Sequence, residues 1–170
     1  MAEKELDWAA LAGQRDAVLT TARTLIIGTV PESGDDSSCP ELGVTPSIRH
    51  DDHFFIYPSR LSAHVRVMME SGVSQFLVIE DEASAQNIWA RKRIRFTAEI
   101  IEIDRHSDDF NLLSDIFAAR HGPTMNLIRD FTDFHMLKLV PLHGVMVLGF
   151  AKAFRLEGGG LDIVAHLRES

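Results

Sequence analysis

The sequence predicts an α+β protein in which an antiparallel β-barrel is flanked by helices. Short apolar or alternating segments typical of strands occur about six or seven times, and they do not alternate regularly with helical patterns. No glycine-rich loop of the kind that binds nucleotide phosphates follows a strand. An antiparallel sheet or barrel with outer helices fits this order better than a doubly wound parallel sheet.

The composition limits both architecture and partners. The chain has 170 residues, 45% of them hydrophobic, so we expect one domain over 1–170, with a helix in 1–23 and a tail at 158–170. The net charge of −8 argues against nucleic acid and against an anionic membrane surface as partners. No apolar run is long enough to span a bilayer, and the charged start does not resemble a signal peptide. The single Cys39 cannot form an internal disulfide, so a cytoplasmic location is expected.

The first third of the chain is predicted to hold a helix and a β-hairpin. Apolar residues at helical spacing predict the helix over 6–23, and 31–41 has the composition of a loop. Pro46 indicates an edge or a bulge in the strand that contains it. Strands are predicted over three segments: 25–30, 42–49 and 53–57.

A second helix is predicted over 60–70, with Ser59 as its N-cap and Gly72 at its end. Its predicted apolar face contains His64. The pattern leaves two interpretations of this residue open, a half-buried histidine with one hydrogen bond or a ligand. The face is formed by Leu61, His64, Val65 and Met68.

The segment 76–104 has the most distinctive pattern in the chain. An apolar strand ends at three acids, a short helix is predicted over 83–89, and Arg91, Lys92 and Arg93 then open an alternating strand. Successive side chains of a strand point to opposite faces, so these three cations cannot all point the same way. The pattern therefore indicates that part of this charge faces a cleft or a partner chain. The alternative is a charge run in solvent at a strand start.

The last third is predicted to combine two helices with further strands. Helices are expected over 108–120 and 124–129, the second capped by Thr124, and a turn is expected between Pro141 and Gly144. Three glycines precede a short tail that carries His166. Asp130 and Asp133 have the residue type that favours turns and caps. The predicted strands are 134–140, 145–150 and 151–156.

Four sets of residues carry a family resemblance: 79–82 with 90–93, 59–64, 133–141 and 149–154. Together they resemble the haem-utilisation, HugZ/HutZ-type branch of the pyridoxamine-phosphate-oxidase-like, FMN-binding split-barrel proteins. The acid–helix–base segment is specific to this branch, and the Ser-x-Leu-x-x-His pattern is shared with the wider flavin group.

The resemblance implies an antiparallel split β-barrel and a homodimer with two cofactor sites between its subunits. For haem members, the resemblance implies that a histidine near the C-terminus ligates the iron and that an acidic residue of the partner subunit supports this histidine. In flavin members, basic and hydroxyl residues hold the FMN phosphate. The implied catalytic carboxylate is Asp133, the implied iron ligand is His166, and the implied cofactor-binding residues are Ser59, His64, Arg91, Lys92, Arg93 and His166.

The chain departs from the family pattern at Val67, Gly43–Val44 and Ala151. In haem degraders the ligating histidine lies a few residues beyond the position of His166, so either His166 takes its place or the ligand is absent. The alternative is that 161–167 packs on the barrel as a strand or short helix. The predicted function is haem binding in haem-iron utilisation, with or without degradation of haem by oxygen and an electron donor. The alternatives are an FMN-binding oxidoreductase and a dimeric module without chemistry.

Overall fold

The computed structural model describes residues 6–31 and 39–167. Within these ranges, no helix has the length and apolar character needed to cross a membrane. Two short 3₁₀ turns, Glu82–Ser84 and Ile88–Ala90, lie between the strands Val73–Ile79 and Arg93–Glu102. The elements in chain order are α1 (Trp8–Thr21), β1 (Thr24–Thr29), β2 (Glu41–His50), β3 (His53–Ile56), α2 (Ala63–Ser71), β4 (Val73–Ile79), β5 (Arg93–Glu102), α3 (Asp108–His121), α4 (Thr124–Ile128), β6 (Leu137–Val147), β7 (Ala153–Glu157) and β8 (Asp162–Leu167).

The strands form an antiparallel barrel that is split along β6. Their order is β3-β2-β1-β4-β5-β6-β7-β8, and an additional β3–β6 pairing closes the first six strands into a barrel. One edge of β6 pairs with β5. The other edge pairs with β3 over Leu137–Leu139 and with β7 over His143–Val147. The two halves therefore separate at residues 140–142, and the predicted split barrel with flanking helices is confirmed.

The barrel interior is filled by alternate strand residues and closed by α1 and α2. The Phe96 ring stacks between the rings of Phe54 and Phe76, at centroid distances of 5.5 and 5.4 Å. Leu19 of α1 and Met68 of α2 are fully buried in the same core. Burial of such side chains contributes about 1.5–3 kcal/mol each, so this core is a main source of stability.

A second, smaller core lies between α3, α4 and the β2–β3 hairpin. It contains Tyr57, Phe110, Phe117 and Met136, all buried. The Ser107 hydroxyl caps α3 by accepting from the amide of Phe110 at 3.1 Å. The helices therefore cover the hairpin, and the outer face of β4, β5, β6 and β7 carries the groove described below.

Several predicted boundaries agree with the structure. The hairpin turn places Asp51 and Asp52 at φ 47° and 60°, and Gly72 ends α2 at φ 67°. Pro46 lies just beyond the part of β2 that pairs with β3, as an edge position allows. The 31–41 loop prediction falls mainly on residues 32–38, which lie outside the described residues.

Ser59 is not the N-cap of α2, so that prediction is wrong. The helix begins three residues later, after Ser62, because Ser59 forms a β-bridge with Phe134. Leu61 consequently precedes the helix and is 77% exposed. Val65 and Met68 do form the predicted buried face.

The predicted turn between Pro141 and Gly144 is also wrong, because β6 continues through it. A register shift opposite Thr97 and Ala98 inserts one extra residue, so the segment forms a β-bulge. The chain reverses later, between Val147 and Ala153. Two further details differ: the helix predicted over 83–89 is the pair of 3₁₀ turns, and the cap of α4 is Pro123 in place of Thr124.

Candidate functional site

The three consecutive cations are tied to the acidic turn that faces them across the β4–β5 connection. Arg91 donates from Nε to the Glu80 carbonyl at 2.9 Å, a bond that its Nη2 also makes, and from Nη1 to Oε1 of Glu82 at 3.0 Å. The Lys92 amide donates to Oε2 of Glu80 at 3.2 Å, and Arg93 Nη1 donates to the Arg91 carbonyl at 3.0 Å. The Arg91 side chain is 17% exposed, so it mainly holds this connection together.

A cavity of about 810 Å³ lies between this connection and α1. Arg91 and Lys92 line it, so two of the three cations face a cleft within the chain. Three acidic and three basic side chains line the cavity: Glu80, Asp81 and Glu82, and Arg23, Arg91 and Lys92. The formal charges of these six side chains therefore balance.

The outer face of β5 presents two arginines. Ile94 and Phe96 are buried in the barrel, so Arg93 and Arg95 point outward, Arg93 half-buried and Arg95 exposed. The sequence prediction included only the consecutive cations 91–93 and did not include Arg95. The two-residue period of the strand was the signal that groups it with Arg93.

A cavity of about 640 Å³, here called the β5–β7 groove, lies on this outer face. Arg95, Thr97, His143 and Arg155 line it. An apolar strip adjoins Arg95, since Val44 pairs with Ile26, Ile26 with Leu77, and Leu77 with Arg95. Val44 is 66% exposed and Ile26 38% exposed. The outer face thus combines cations with exposed apolar side chains, a combination that often marks a binding surface.

His64 packs against β2 at a departure from the family pattern. A Cβ atom on Gly43 would lie 2.1 Å from His64 Nε2 and 2.4 Å from Cδ2. The imidazole therefore occupies the space that any other residue at position 43 would fill. Glycine is required here by close approach and not by backbone conformation.

Ser59 and Asp133 form a pair at the far end of β3 and β6. The Ser59 hydroxyl donates to Oδ2 of Asp133 at 2.5 Å, and the Arg60 amide donates to the Asp133 carbonyl at 2.7 Å. The neighbouring loop is held by Tyr57, whose hydroxyl donates to the Arg129 carbonyl at 2.9 Å. Burial raises the pKa of this Tyr57 hydroxyl.

His166 lies on β8, which pairs with β7 along its length. Its ring stacks on Phe154 at a centroid distance of 4.9 Å, and its Nε2 lies 3.0 Å from the Ala151 carbonyl oxygen. The tail is therefore a barrel-associated strand, the alternative that the apolar pattern of 161–167 had left open.

The sequence and the fold of this chain are similar to those of known proteins. The haem oxygenase HutZ of Vibrio cholerae serotype O1 is 27% identical over 147 residues, which cover 86% of this chain and 81% of HutZ. The solved structure of HutZ, described as the haem storage protein of Vibrio cholerae, matches 87% of this chain and 96% of that chain, with a TM-score of 0.67 and 21% identity. No family model matches the sequence.

The structure of ChuZ from Campylobacter jejuni matches 96% of this chain with a TM-score of 0.82 and 21% identity. The match spans 64% of the ChuZ chain. The chain is related to the HutZ-type branch of the split-barrel proteins. The ChuZ match extends over nearly the whole chain, so the resemblance seen in the sequence motifs is confirmed.

The HutZ-type resemblance implies that the basic residues and Asp133 belong to one site, but a single chain does not bring Arg93 and Asp133 together. Arg93 pairs with Val147 at one end of β6, whereas Asp133 lies before its other end at Leu137. The ten residue steps between Leu137 and Val147 correspond to about 30 Å along the strand. Arg93 and Asp133 of one chain therefore cannot contact the same small ligand.

Proposed function

We propose that this protein binds haem on the outer face of its barrel, as a component of haem-iron utilisation. The observation that carries the proposal is the combination of Arg93 and Arg95 with the apolar strip that ends at Arg95. Haem presents a large apolar ring and two carboxylates, and arginine is well suited to binding carboxylates. The names of the HutZ relatives, haem oxygenase and haem storage protein, support this assignment.

We further propose a homodimer in which the outer faces of two copies contribute to each site. The distance between Arg93 and Asp133 supports this, because a second copy can bring the Ser59–Asp133 pair of one chain towards Arg93 of the other. The exposed Val44 and Ile26 provide apolar surface for such a contact. A two-fold dimer buries the same patch on both subunits, as this arrangement requires.

Within this site, Arg93 is assigned to a propionate and Asp133 of the partner subunit to the surroundings of the iron. Described histidines that can supply an axial ligand include His64, His143 and His166, since neutral imidazole is a common haem ligand. We place the protein in the cytoplasm. The free, exposed thiol of Cys39 supports a reducing compartment.

The test is a titration of the purified protein with hemin and, separately, with FMN. We expect a Soret band that saturates near one haem per subunit, and a dimer by light scattering at micromolar concentration. Binding of FMN with no saturable hemin binding would contradict the proposal. Adding ascorbate to the loaded protein then separates degradation, seen as loss of the Soret band, from storage.

A matched pair of variants locates the site. Arg93→Gln should weaken hemin binding by about 10- to 100-fold, because a charge-assisted contact contributes about 1.5–3 kcal/mol. Arg129→Gln is the control, since Arg129 lies on the α4 side of the molecule and pairs with Asp115. Equal affinities of the two variants would remove Arg93 from the site.

A further inference from the structure

We infer that Arg105 is a positioning residue of the haem site. Its guanidinium group holds the turn that carries Asp133 and so fixes the direction of that carboxylate. The inference rests on the proposed function, which places Asp133 of one chain near the iron bound with the other. Arg105 is not assigned to the cofactor and acts through Asp133. It lies in the connection between β5 and α3, outside the four sets of residues that carry the family resemblance.

The guanidinium group of Arg105 bonds three backbone carbonyls of one short loop. Its Nη1 donates to the Arg129 carbonyl at 2.5 Å. Its Nη2 donates to the Phe131 carbonyl at 2.8 Å and also to the Phe134 carbonyl. These two acceptors stand on either side of Asp133 in the chain. A single nitrogen atom bonded to both therefore fixes the span of the turn in which Asp133 lies.

The loop depends on this contact because it has little regular structure of its own. Residues 129–136 lie between α4 and β6 and belong to neither element, and residues 130–132 are exposed. Within the turn, the Phe134 amide donates to the Phe131 carbonyl at a long 3.3 Å. Segments with few buried contacts and exposed backbone open most easily. A charged side chain that bonds three of their carbonyls is consequently a main restraint on the loop.

Arg105 is itself held in place, as this role requires. The residue is half-buried, and its guanidinium carbon lies 5.1 Å from the centroid of the Phe110 ring. Phe110 belongs to α3 and is buried in the smaller core. The planar guanidinium group presents donors on separate nitrogen atoms in a fixed geometry, whereas a lysine has all its donors on one atom. The turn is thus referred to the rigid core by a contact that lysine cannot reproduce.

The restrained turn leaves one carboxylate oxygen of Asp133 for a further donor. Ser59 donates to Oδ2, and the Arg60 amide donates to the backbone carbonyl, so both the side chain and the backbone of Asp133 are held. Oδ1 can then accept from the N–H of an imidazole that ligates iron. A carboxylate in this position orients the ring and raises its basicity. Both effects depend on the direction of the carboxylate, which the turn sets.

The first experiment uses the protein without haem. Hydrogen exchange of the Arg60 amide, measured by nuclear magnetic resonance, reports the order of the turn because this amide bonds the Asp133 carbonyl. Arg105→Lys keeps the charge and loses the fork, so we expect exchange about tenfold faster or more. Tyr57→Phe is the matched control, since it removes a bond to the Arg129 carbonyl and leaves both Nη2 bonds intact. Its Arg60 amide should exchange at the wild-type rate.

The second experiment uses the ferrous protein loaded with haem. The iron–imidazole stretching band in the resonance Raman spectrum reports the hydrogen bond made by the ligand. Asp133→Asn should move this band to lower frequency and weaken hemin binding about tenfold or more, because the neutral amide is a poorer acceptor. Arg105→Lys should shift the band in the same direction, and the double variant should shift it no further than Asp133→Asn alone. Tyr57→Phe should keep the wild-type band although it is less stable.

Three results would overturn the inference: an unchanged Arg60 exchange rate in Arg105→Lys, an unchanged band in that variant, or shifts that add in the double variant. An equal shift in Tyr57→Phe would also overturn it, because lost stability would then explain both. Arg105→Gln is measured in parallel with the same expected results, and either variant that folds by circular dichroism decides. If the wild-type protein does not bind hemin, the proposed function fails, whereas the exchange rates still decide whether Arg105 holds the turn.

Discussion

Replacing Gly43 by alanine tests how tightly His64 is packed against β2. The new methyl carbon would start 2.1 Å from His64 Nε2, whereas ordinary contacts begin at 3.4 Å. The imidazole must therefore withdraw by more than 1 Å or change rotamer. Overpacking of this kind costs about 1–3 kcal/mol, so we expect Gly43→Ala to lower the free energy of unfolding by that amount.

The measurement is urea unfolding followed by circular dichroism, with one control from the same chain. Gly13→Ala lies in α1, where an added Cβ meets nothing within 4 Å. It should raise the free energy of unfolding by about 0.5–1 kcal/mol, since alanine is the better helix former. The sign of the effect thus separates steric contact from the general effect of adding a methyl group.

The double variant Gly43→Ala with His64→Ala isolates the contact. Removing the imidazole frees the space, so alanine at position 43 should cost little in that background, and the coupling energy should be about 1–3 kcal/mol. Additive effects within about 0.5 kcal/mol would refute the packing argument and show that the His64 ring is not confined by β2.

Two further predictions concern groups outside the groove. Tyr57→Phe removes the bond to the Arg129 carbonyl and should lower the free energy of unfolding by about 0.5–1.5 kcal/mol. Burial raises the folded-state pKa of Tyr57, so the neutral hydroxyl stabilises the fold below the usual tyrosine pKa of 10.0, and this contribution is lost as the pH rises above that value. The free energy of unfolding should therefore fall more in wild type than in Tyr57→Phe between pH 9 and 11, about one pH unit on each side of 10.0. Arg91→Gln removes bonds to the acidic turn and should cost about 1–2 kcal/mol, measured by urea unfolding; an unchanged unfolding midpoint would show that the turn does not depend on them.

Most of the barrel could be predicted from local pattern, because each strand alternates between a buried and an open side. The bulge at His143 could not. Pro141 and Gly144 have the local chemistry of a turn, but the strand pairs with β5 on both sides of them. Proline is tolerated at sheet edges and bulges. Pro141 lies beside the bulge, on the part of β6 that pairs with neither β3 nor β7. Tertiary pairing therefore overrides the local signal.

The candidate site was only partly predictable for the same reason. The consecutive cations drew attention, yet Arg91 is held by local bonds, while Arg95 reaches the outer face through simple alternation. Ser59 has the chemistry of a helix cap, but its bridge to Phe134 places it beside Asp133, and the helix begins later. Arg155 belongs to a strand paired through β6 and becomes a neighbour of Arg95 once the sheet forms.

The split along β6 has a consequence for the order of folding. The pairs from β4 to β8 join strands that follow one another in the chain, with short connections except between β5 and β6, where residues 103–136 hold α3 and α4. The β3–β6 seam joins residues 54–56 to 137–139, about 80 residues apart, and contacts of such separation are slow to form. We therefore expect the meander of β4 to β8 to assemble first and the seam with β3 to close the barrel last. The groove on β5 to β7 belongs to the early part, so its histidine and arginines are brought together before the barrel is complete.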